Sequence, residues 1–583
     1  MRAFPSRARR SARQPLWRGA THVALAAFAV GIGGSFPATA AGAQGAPEAP
    51  LLTVLIKPGV MSEAVGKGDL DIEMRIPGLN VAAGAPFLSM GMFVPGLARA
   101  QELASLDVRD ATGVVPIAVA NAQNGPGQWV ASRAVQGNVV VRYRLIAENI
   151  PALAGGPPIG VRIDGDGFSS AGQALLMMPR TTTAYRIAIN WDLSAMGPGA
   201  EAVSSFGDGN VTLPAGPVGR MGSALYMAGH LKREPRNNTG AFSAVWVGEP
   251  AFDPRPAMQW SAAMHAAMSR FFRDEHEPPY RVFLRYNPMN AGGGAAFTNS
   301  FIVTYGTGVT GGNLKSILGH EMTHTWTANG IGQWYSEGTA VYYQALLPWR
   351  AGLMTADEYL ADLNKTASRY FTNALKDTPE AQVAPRFWED TRIRVLPYDR
   401  GAMYFAVLNG KVRRASNGAR SLDDLVRTMI VRARSGQPMT EAVWLDLLRT
   451  QVGEDGPDVH RSMLAGGLML PESDDFGPCF RRTVKPIRQF DLGFDNASIL
   501  TTPKVIRGLK AGSTAQAAGL QNGDTVSYAV ALDAVQGDVT RMLTLHVTRN
   551  GVTTPVTYLP RGSAIDAYQW ERIPGTPPQG CTP

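Results

Sequence analysis

His320-Glu321-Met322-Thr323-His324, with Glu337 thirteen residues beyond His324, constrains this chain more than any other stretch. Histidines four apart on a helix lie one above the other on the same face. That pair of imidazoles can serve a single ion, as tetrahedral zinc requires. Glu321 points about 100° away around the helix, toward where a metal-bound water would lie. Glu337, in the run Trp334-Tyr-Ser-Glu-Gly-Thr-Ala-Val-Tyr-Tyr343, can bring a third ligand from a following helix. Three protein ligands leave one position open, which separates a catalytic zinc from a structural one. The alternative is accidental spacing on a solvated helix. Against it, Ile317, Leu318, Met322 and Trp326 mark the helix as partly buried, where two histidines and a glutamate need charged or metal partners. Among the eight histidines no other pair has ligand spacing.

The first 43 residues read as a secretory signal peptide rather than as fold. Arg2, Arg7, Arg9, Arg10, Arg13 and Arg18 precede an apolar run from Val23 to Phe36, and small residues around Ala38–Ala43 offer cleavage sites. The run is short for a bilayer span, so an uncleaved anchor is the weaker alternative. Export to a bacterial periplasm is the expectation, with no membrane anchor after cleavage. The whole chain is +8, but most of that excess lies in the leader's arginines. Without them no basic surface argues for nucleic acid. In an oxidising compartment Cys479 and Cys581 can pair. Such a bridge would contribute about 4–5 kcal/mol in the chain-entropy model; two separate thiols are the alternative.

Texture divides the chain. Residues 51–247 carry short β-like segments punctuated by Gly, Pro, Asn and Asp, which predicts an antiparallel sandwich or open curved sheet. Residues 254–475 read as an α+β unit. A helix over Ala257–Phe272 precedes strands at Arg281–Tyr286 and Ser300–Tyr305, the HEMTH helix, the Glu337 helix, and further helices over Met354–Tyr370, Met403–Val412 and Leu422–Ala433. Residues 483–562 return to β, and 563–583 read as an irregular tail.

In this order the chain resembles the PDZ-containing glycyl aminopeptidases, within the gluzincin group of zinc peptidases. The resemblance is carried by His320 to Trp326, Trp334 to Tyr343, Pro397-Tyr398-Asp-Arg-Gly401, Ser421-Leu-Asp-Asp-Leu425 and the Gly-rich entry Gly292 to Ser300. It implies a multidomain fold: a β-rich N-terminal domain, an α+β thermolysin-like catalytic domain and a C-terminal PDZ-like β domain. It also implies one zinc held by His320, His324 and Glu337, Glu321 as general base, and Tyr398 as donor to the oxyanion. Substrate would pair with the strand entered through Gly293, Gly294 and Ala295. Leu492-Gly493-Phe494 resembles the loop with which PDZ domains take a protein's C-terminal carboxylate.

Two departures stand out. Only twelve residues separate His324 from Glu337, so their helices must join through a tight turn, for which Gly330 and Gly332 are suited. Ala296 and Phe297 also stand where relatives carry a polar pair whose acid anchors the substrate's α-amine. The expected function is therefore hydrolysis of peptide bonds in peptides or proteins, aminopeptidase-like toward small N-terminal residues. A zinc endopeptidase, or a peptide-binding PDZ protein with a vestigial metal site, are the alternatives.

Overall fold

The computed structural model describes residues 48–581 apart from 95–96, 122–126, 152–156, 238–239, 288–290, 328–330, 502, 529 and 577–580. The expected signal peptide and Gly330 lie outside the described residues.

The N-terminal region is built on strict alternation. In β1 (Leu51–Pro58) Leu52, Val54 and Ile56 are buried. The same holds for Leu70, Ile72 and Met74 in β2 (Lys67–Ile76). A strand shows successive side chains to opposite faces, so this pattern gives each strand one apolar side. With β3 (Glu102–Asp110), β4 (Gly113–Val114), β5 (Val139–Glu148), β6 (Tyr185–Trp191) and β7 (Val211–Gly216) they form a seven-stranded sheet ordered β7-β6-β1-β2-β5-β3-β4. On the outer face Arg142 and Arg144 of β5 stand opposite Glu73 and Asp71 of β2 and pair with them. The inner face packs on a second layer through Phe87, Trp129, Phe168 and Tyr226. The expected sandwich is present, with one departure: β1 and β6 run parallel.

The α+β unit starts earlier than residue 254. β8 (Lys232–Glu234) and β9 (Phe242–Trp246) join β10 (Tyr280–Tyr286), β11 (Gly294–Phe297) and β12 (Ser300–Tyr305) in a sheet ordered β8-β9-β10-β12-β11. Phe242 pairs with Tyr280 and Trp246 with Leu284, so the expected boundary at 247 cuts through this sheet. All five residues of β9 are buried, and a strand covered on both faces has no alternation to show which unit owns it. α1 (Arg255–Phe271) makes the crossover from β9 to β10.

Helices then dominate: α2 (Lys315–Thr327), α3 (Gln333–Arg350), α4 (Ala356–Phe371), α5 (Thr391–Arg394), α6 (Leu396–Ala415) and α7 (Leu422–Arg434). α4 and α7 begin with capping boxes, Thr355 with Glu358 and Ser421 with Asp424. None of the described helices is long and apolar enough to cross a membrane.

The C-terminal unit has its own core around Phe490, Leu492, Phe494, Ile506 and Leu545. It contains β13 (Phe480–Phe490), β14 (Thr525–Ser527), α8 (Leu532–Gly537), β15 (Leu543–Arg549), β16 (Val552–Tyr558) and β17 (Arg561–Arg572). Here the tail expected to be irregular from 563 is corrected. β17 pairs antiparallel with β13 from Phe490↔Arg561 to Phe480↔Arg572. Its solvent-facing Ser563, Ala564 and Asp566 dilute the strand signal, whereas Trp570 is wholly buried. Asn364 of α4 exchanges hydrogen bonds with the Trp570 backbone at 2.7 and 2.8 Å, tying the ribbon to the α+β unit. Cys479 and Cys581 form the disulfide, with Cα atoms 5.0 Å apart.

Candidate metal centre

Close helix crossings assemble this site, and glycine permits each of them. Gly319 of α2 faces the backbone of α3: a Cβ there would lie 2.5 Å from the Gln344 carbonyl oxygen. Gly338 of α3 and Gly401 of α6 meet likewise, each excluding a side chain at 2.7 Å from the other's Cα. The first contact sets His320 against α3. The second brings Tyr398, one turn before Gly401, toward Glu337, the residue before Gly338.

The tight link between α2 and α3 does carry Glu337 to the histidines. Its Oε2 lies 3.2 Å from His320 Nε2 and 3.4 Å from His324 Nε2, and the two Nε2 atoms are 3.3 Å apart. A tetrahedral zinc with ligands at about 2.0–2.1 Å has ligand–ligand edges of about 3.3–3.4 Å. These three atoms therefore have the size of one face of that tetrahedron. Among the described residues they are the one group of three or more such side chains suited to a metal ion.

The protonation pattern points the same way. Gln344 donates its amide hydrogens to Asp362 Oδ2 at 2.8 Å and Ser316 Oγ at 3.0 Å. Ser316 in turn donates to Asp362 Oδ1 at 2.8 Å. Gln344 Oε1 is thereby turned to His320 Nδ1, 3.2 Å away, and that nitrogen must carry the hydrogen. His320 Nε2 is left with a lone pair facing a carboxylate oxygen and a second imidazole. Electron pairs converging at this distance call for a cation. Ser336 Oγ stands 3.3 Å from His324 Nδ1 and steadies the second ring. Such partners orient metal-binding histidines and raise their affinity.

Burial opposes ionisation of Glu337, but when the two imidazoles carry protons their charges and hydrogen bonds more than offset it and hold its carboxyl low. Glu321 is raised by burial, against the pull of His320 and His324. The Tyr398 ring lies 5.8 Å from that of His320 at an interplanar angle of 19°. Burial and the negative charges of Glu337 and Glu321 push its phenol well above its usual range, so it is a neutral donor.

Gly293 leads into β11, the edge strand of the sheet, whose first residues are Gly294 and Ala295 and which lies against α2. Gly293 differs from expectation: its carbonyl already accepts Thr304 N–H at 2.8 Å and Thr304 Oγ1 at 3.0 Å. Ala295 and Phe297 turn to an apolar cluster shared with Val203, Leu225 and Met227 of the N-terminal region. Phe297, one of the two positions where a polar pair was sought, thus cements two domains, while its neighbour Ala296 is exposed.

The PDZ-like loop does not offer the backbone it was expected to offer. Gly493 N–H donates to Asp491 Oδ1 at 2.9 Å, and Gly493 carbonyl accepts from Lys510 N–H at 2.8 Å. Leu492 carbonyl accepts from the Tyr558 hydroxyl at 2.9 Å, and Phe494 is buried. A short 3-10 turn, Asn496–Ile499, follows where a groove would need an edge strand. Asp491 thus takes one of the N–H groups that an incoming carboxylate would need.

Sequence reading missed Gln344, Ser336 and Asp362, which carry no motif of their own. Gln344 is seven residues after Glu337, two helical turns on, and that spacing was the available signal.

His320, His324 and Glu337 could together hold one metal ion, and the chain is similar, in part of its sequence and in its fold, to aminopeptidases. The family model that matches is that of the M61 glycyl aminopeptidases, over residues 329–390, the stretch that carries Glu337, Gln344 and Asp362. No curated protein sequence matches the chain. Among solved structures, an aminopeptidase N family protein from Idiomarina loihiensis is similar in fold, with a TM-score of 0.64 and 14% identity over 91% of this chain and 100% of that one. An M1 zinc metallopeptidase from Deinococcus radiodurans gives a TM-score of 0.43 at 17% identity, over 73% of this chain and 95% of that one. Yeast LTA4 hydrolase gives 0.46 at 12% identity, over 73% and 69%.

Proposed function

We propose that this chain is an exported peptidase that lays a peptide along β11 and hydrolyses it over the His320–His324–Glu337 site. The observation that carries this reading is the triangle of lone pairs at 3.2–3.4 Å, with Glu321 beside it and the Tyr398 ring stacked above His320. Bound zinc supplies Lewis acidity toward the scissile carbonyl and toward water.

The chain's own residues do the rest. Glu321 takes the proton of the attacking water and passes it to the leaving amine. Tyr398 keeps its proton and donates a hydrogen bond to the oxygen that gains charge, a contact worth about 3–4 kcal/mol in comparable sites. The outward-facing backbone of β11 pairs with an extended peptide by strand addition.

Aminopeptidase-like cleavage after a small N-terminal residue is the leading form of this activity. An endopeptidase is the second reading, favoured by Ala296 and Phe297: neither position of β11 carries a carboxylate to hold a free α-amine. Capture of protein C-termini by the C-terminal unit is disfavoured by the hydrogen bonds that occupy Leu492 and Gly493.

Purified protein is expected to hold about one zinc per chain. Glu321→Gln keeps that zinc and loses hydrolysis; cleavage at the wild-type rate would remove Glu321 from the mechanism. Acetylating the substrate's N-terminus abolishes cleavage by an aminopeptidase and spares an endopeptidase.

A further inference from the structure

The wall of the catalytic centre behind Tyr398 is completed from a different part of the chain. α8, in the C-terminal unit, lies against α4 and α5. Its Asp533 takes Arg394 with both carboxylate oxygens, at 2.6 and 2.9 Å. The Thr391 hydroxyl donates to the same carboxylate. Asp533 thus holds both ends of α5, a single turn far below the ~12 residues at which an isolated helix is even marginal. A second tie comes from Asn496, whose amide donates at 3.1 Å to Asp390, the N-cap of α5.

α5 runs directly into α6. Val395 N–H donates to the Thr391 carbonyl at 3.1 Å, and Asp399 N–H to the Val395 carbonyl at 2.9 Å. Tyr398 therefore sits one turn beyond the clamp. Asp399, beside it, is held by Arg369 of α4 at 2.5 and 2.7 Å. The charges of Asp533 and Arg394 both reach the Tyr398 phenol.

We propose that the C-terminal unit completes the catalytic centre, with Asp533 as a positioning residue that holds Tyr398 over the metal site through α5. The inference rests on Tyr398 acting as oxyanion donor, as proposed above. It also gives the C-terminal unit a role that needs no open peptide groove, since α8 is turned onto the catalytic helices. The Arg394–Asp533 pair is partly exposed, and such pairs contribute little to stability. Its loss is therefore read as misplacement rather than as unfolding.

The test uses the full-length, zinc-loaded protein with Asp533→Asn and Asp533→Glu, each in wild type and in a Tyr398→Phe background. Asp533→Asn lowers kcat about 10-fold, the scale of a sub-ångström misplacement. KM and zinc content stay unchanged, and Asp533→Glu restores most of the rate. In the Tyr398→Phe background Asp533→Asn has no further effect. Calorimetric binding of a phosphinic pseudo-dipeptide, whose tetrahedral oxygens imitate the oxyanion, weakens by a similar factor in Asp533→Asn. Thr391→Val, which removes one tie and no charge, shows the same pattern at smaller amplitude and serves if the Asp533 variants do not fold. An equal loss in both backgrounds, or a rise in KM at constant kcat, overturns the inference. A slow Tyr398→Phe enzyme with a fast Asp533→Asn enzyme overturns the positioning alone. A fast Tyr398→Phe enzyme removes the oxyanion role and the positioning with it.

Discussion

Gly401→Ala separates the metal site from the group that faces it. The new methyl would lie 2.7 Å from the Gly338 Cα and 2.8 Å from the Trp334 carbonyl oxygen, where ordinary contact begins at 3.4 Å. Both obstacles are backbone, so α3 and α6 must part by about 0.7 Å at the crossing. Overpacking of this kind costs about 1–3 kcal/mol, and the better helix propensity of alanine returns up to about 1 kcal/mol. The net loss, about 0–3 kcal/mol, leaves the domain folded. Tyr398 rides on α6, whereas His320 and His324 belong to α2 and Glu337 to α3. Zinc content should therefore hold at about one per chain while kcat falls about 10–100-fold, since a displacement near 1 Å costs up to about 100-fold. Metal analysis, a thermal melt and steady-state kinetics on one preparation check this. A folded variant with full zinc and a kcat within about twofold of wild type would refute the reasoning.

Gln344→Leu leaves His320 Nδ1–H without its acceptor and should weaken zinc binding about 10–100-fold, measured by competition with a chelator; Gln344→Glu should retain it. Cys581→Ala removes a closure over 102 residues and should cost about 4–5 kcal/mol if chain entropy dominates, seen as a lower unfolding midpoint that reductant reproduces in wild type. His460, buried between Tyr404 and Glu441 and packed on Trp334, is lowered by burial despite the hydrogen bond to Glu441. The unfolded chain then binds a proton that the fold refuses, so this contribution is complete above pH ~6.5 and is lost as pH falls toward the folded value. Relative to His460→Gln, wild type should lose stability below pH ~6.5 by at most about 1.4 kcal/mol per pH unit, and parallel urea midpoints between pH 7.5 and 5.5 would contradict it.

What could be read from residues alone was local. The four-residue spacing of His320 and His324 needs only helical geometry, and alternation in β1 and β2 needs only the pleat. Thr355 with Glu358 marks the start of α4 by the same short-range logic. Where a segment is buried on both faces, as β9 is, or packs through a few scattered residues, as β17 does, periodicity carries no assignment. Leu492-Gly493-Phe494 shows the same limit: a three-residue likeness says nothing of the side chain that takes one of its N–H groups, here Asp491.

Sequence by itself picked out His320, His324 and Glu337, because their spacing is a property of one helix and the one that follows. Tertiary structure decided the rest of the centre. Gln344 aims His320 because Gly319 lets two backbones touch, and Phe297 seals a domain contact because the N-terminal sheet lies against β11. Asp533 reaches α5 from 142 residues beyond Thr391. Such contacts depend on where whole elements cross, and no short window of residues encodes a crossing.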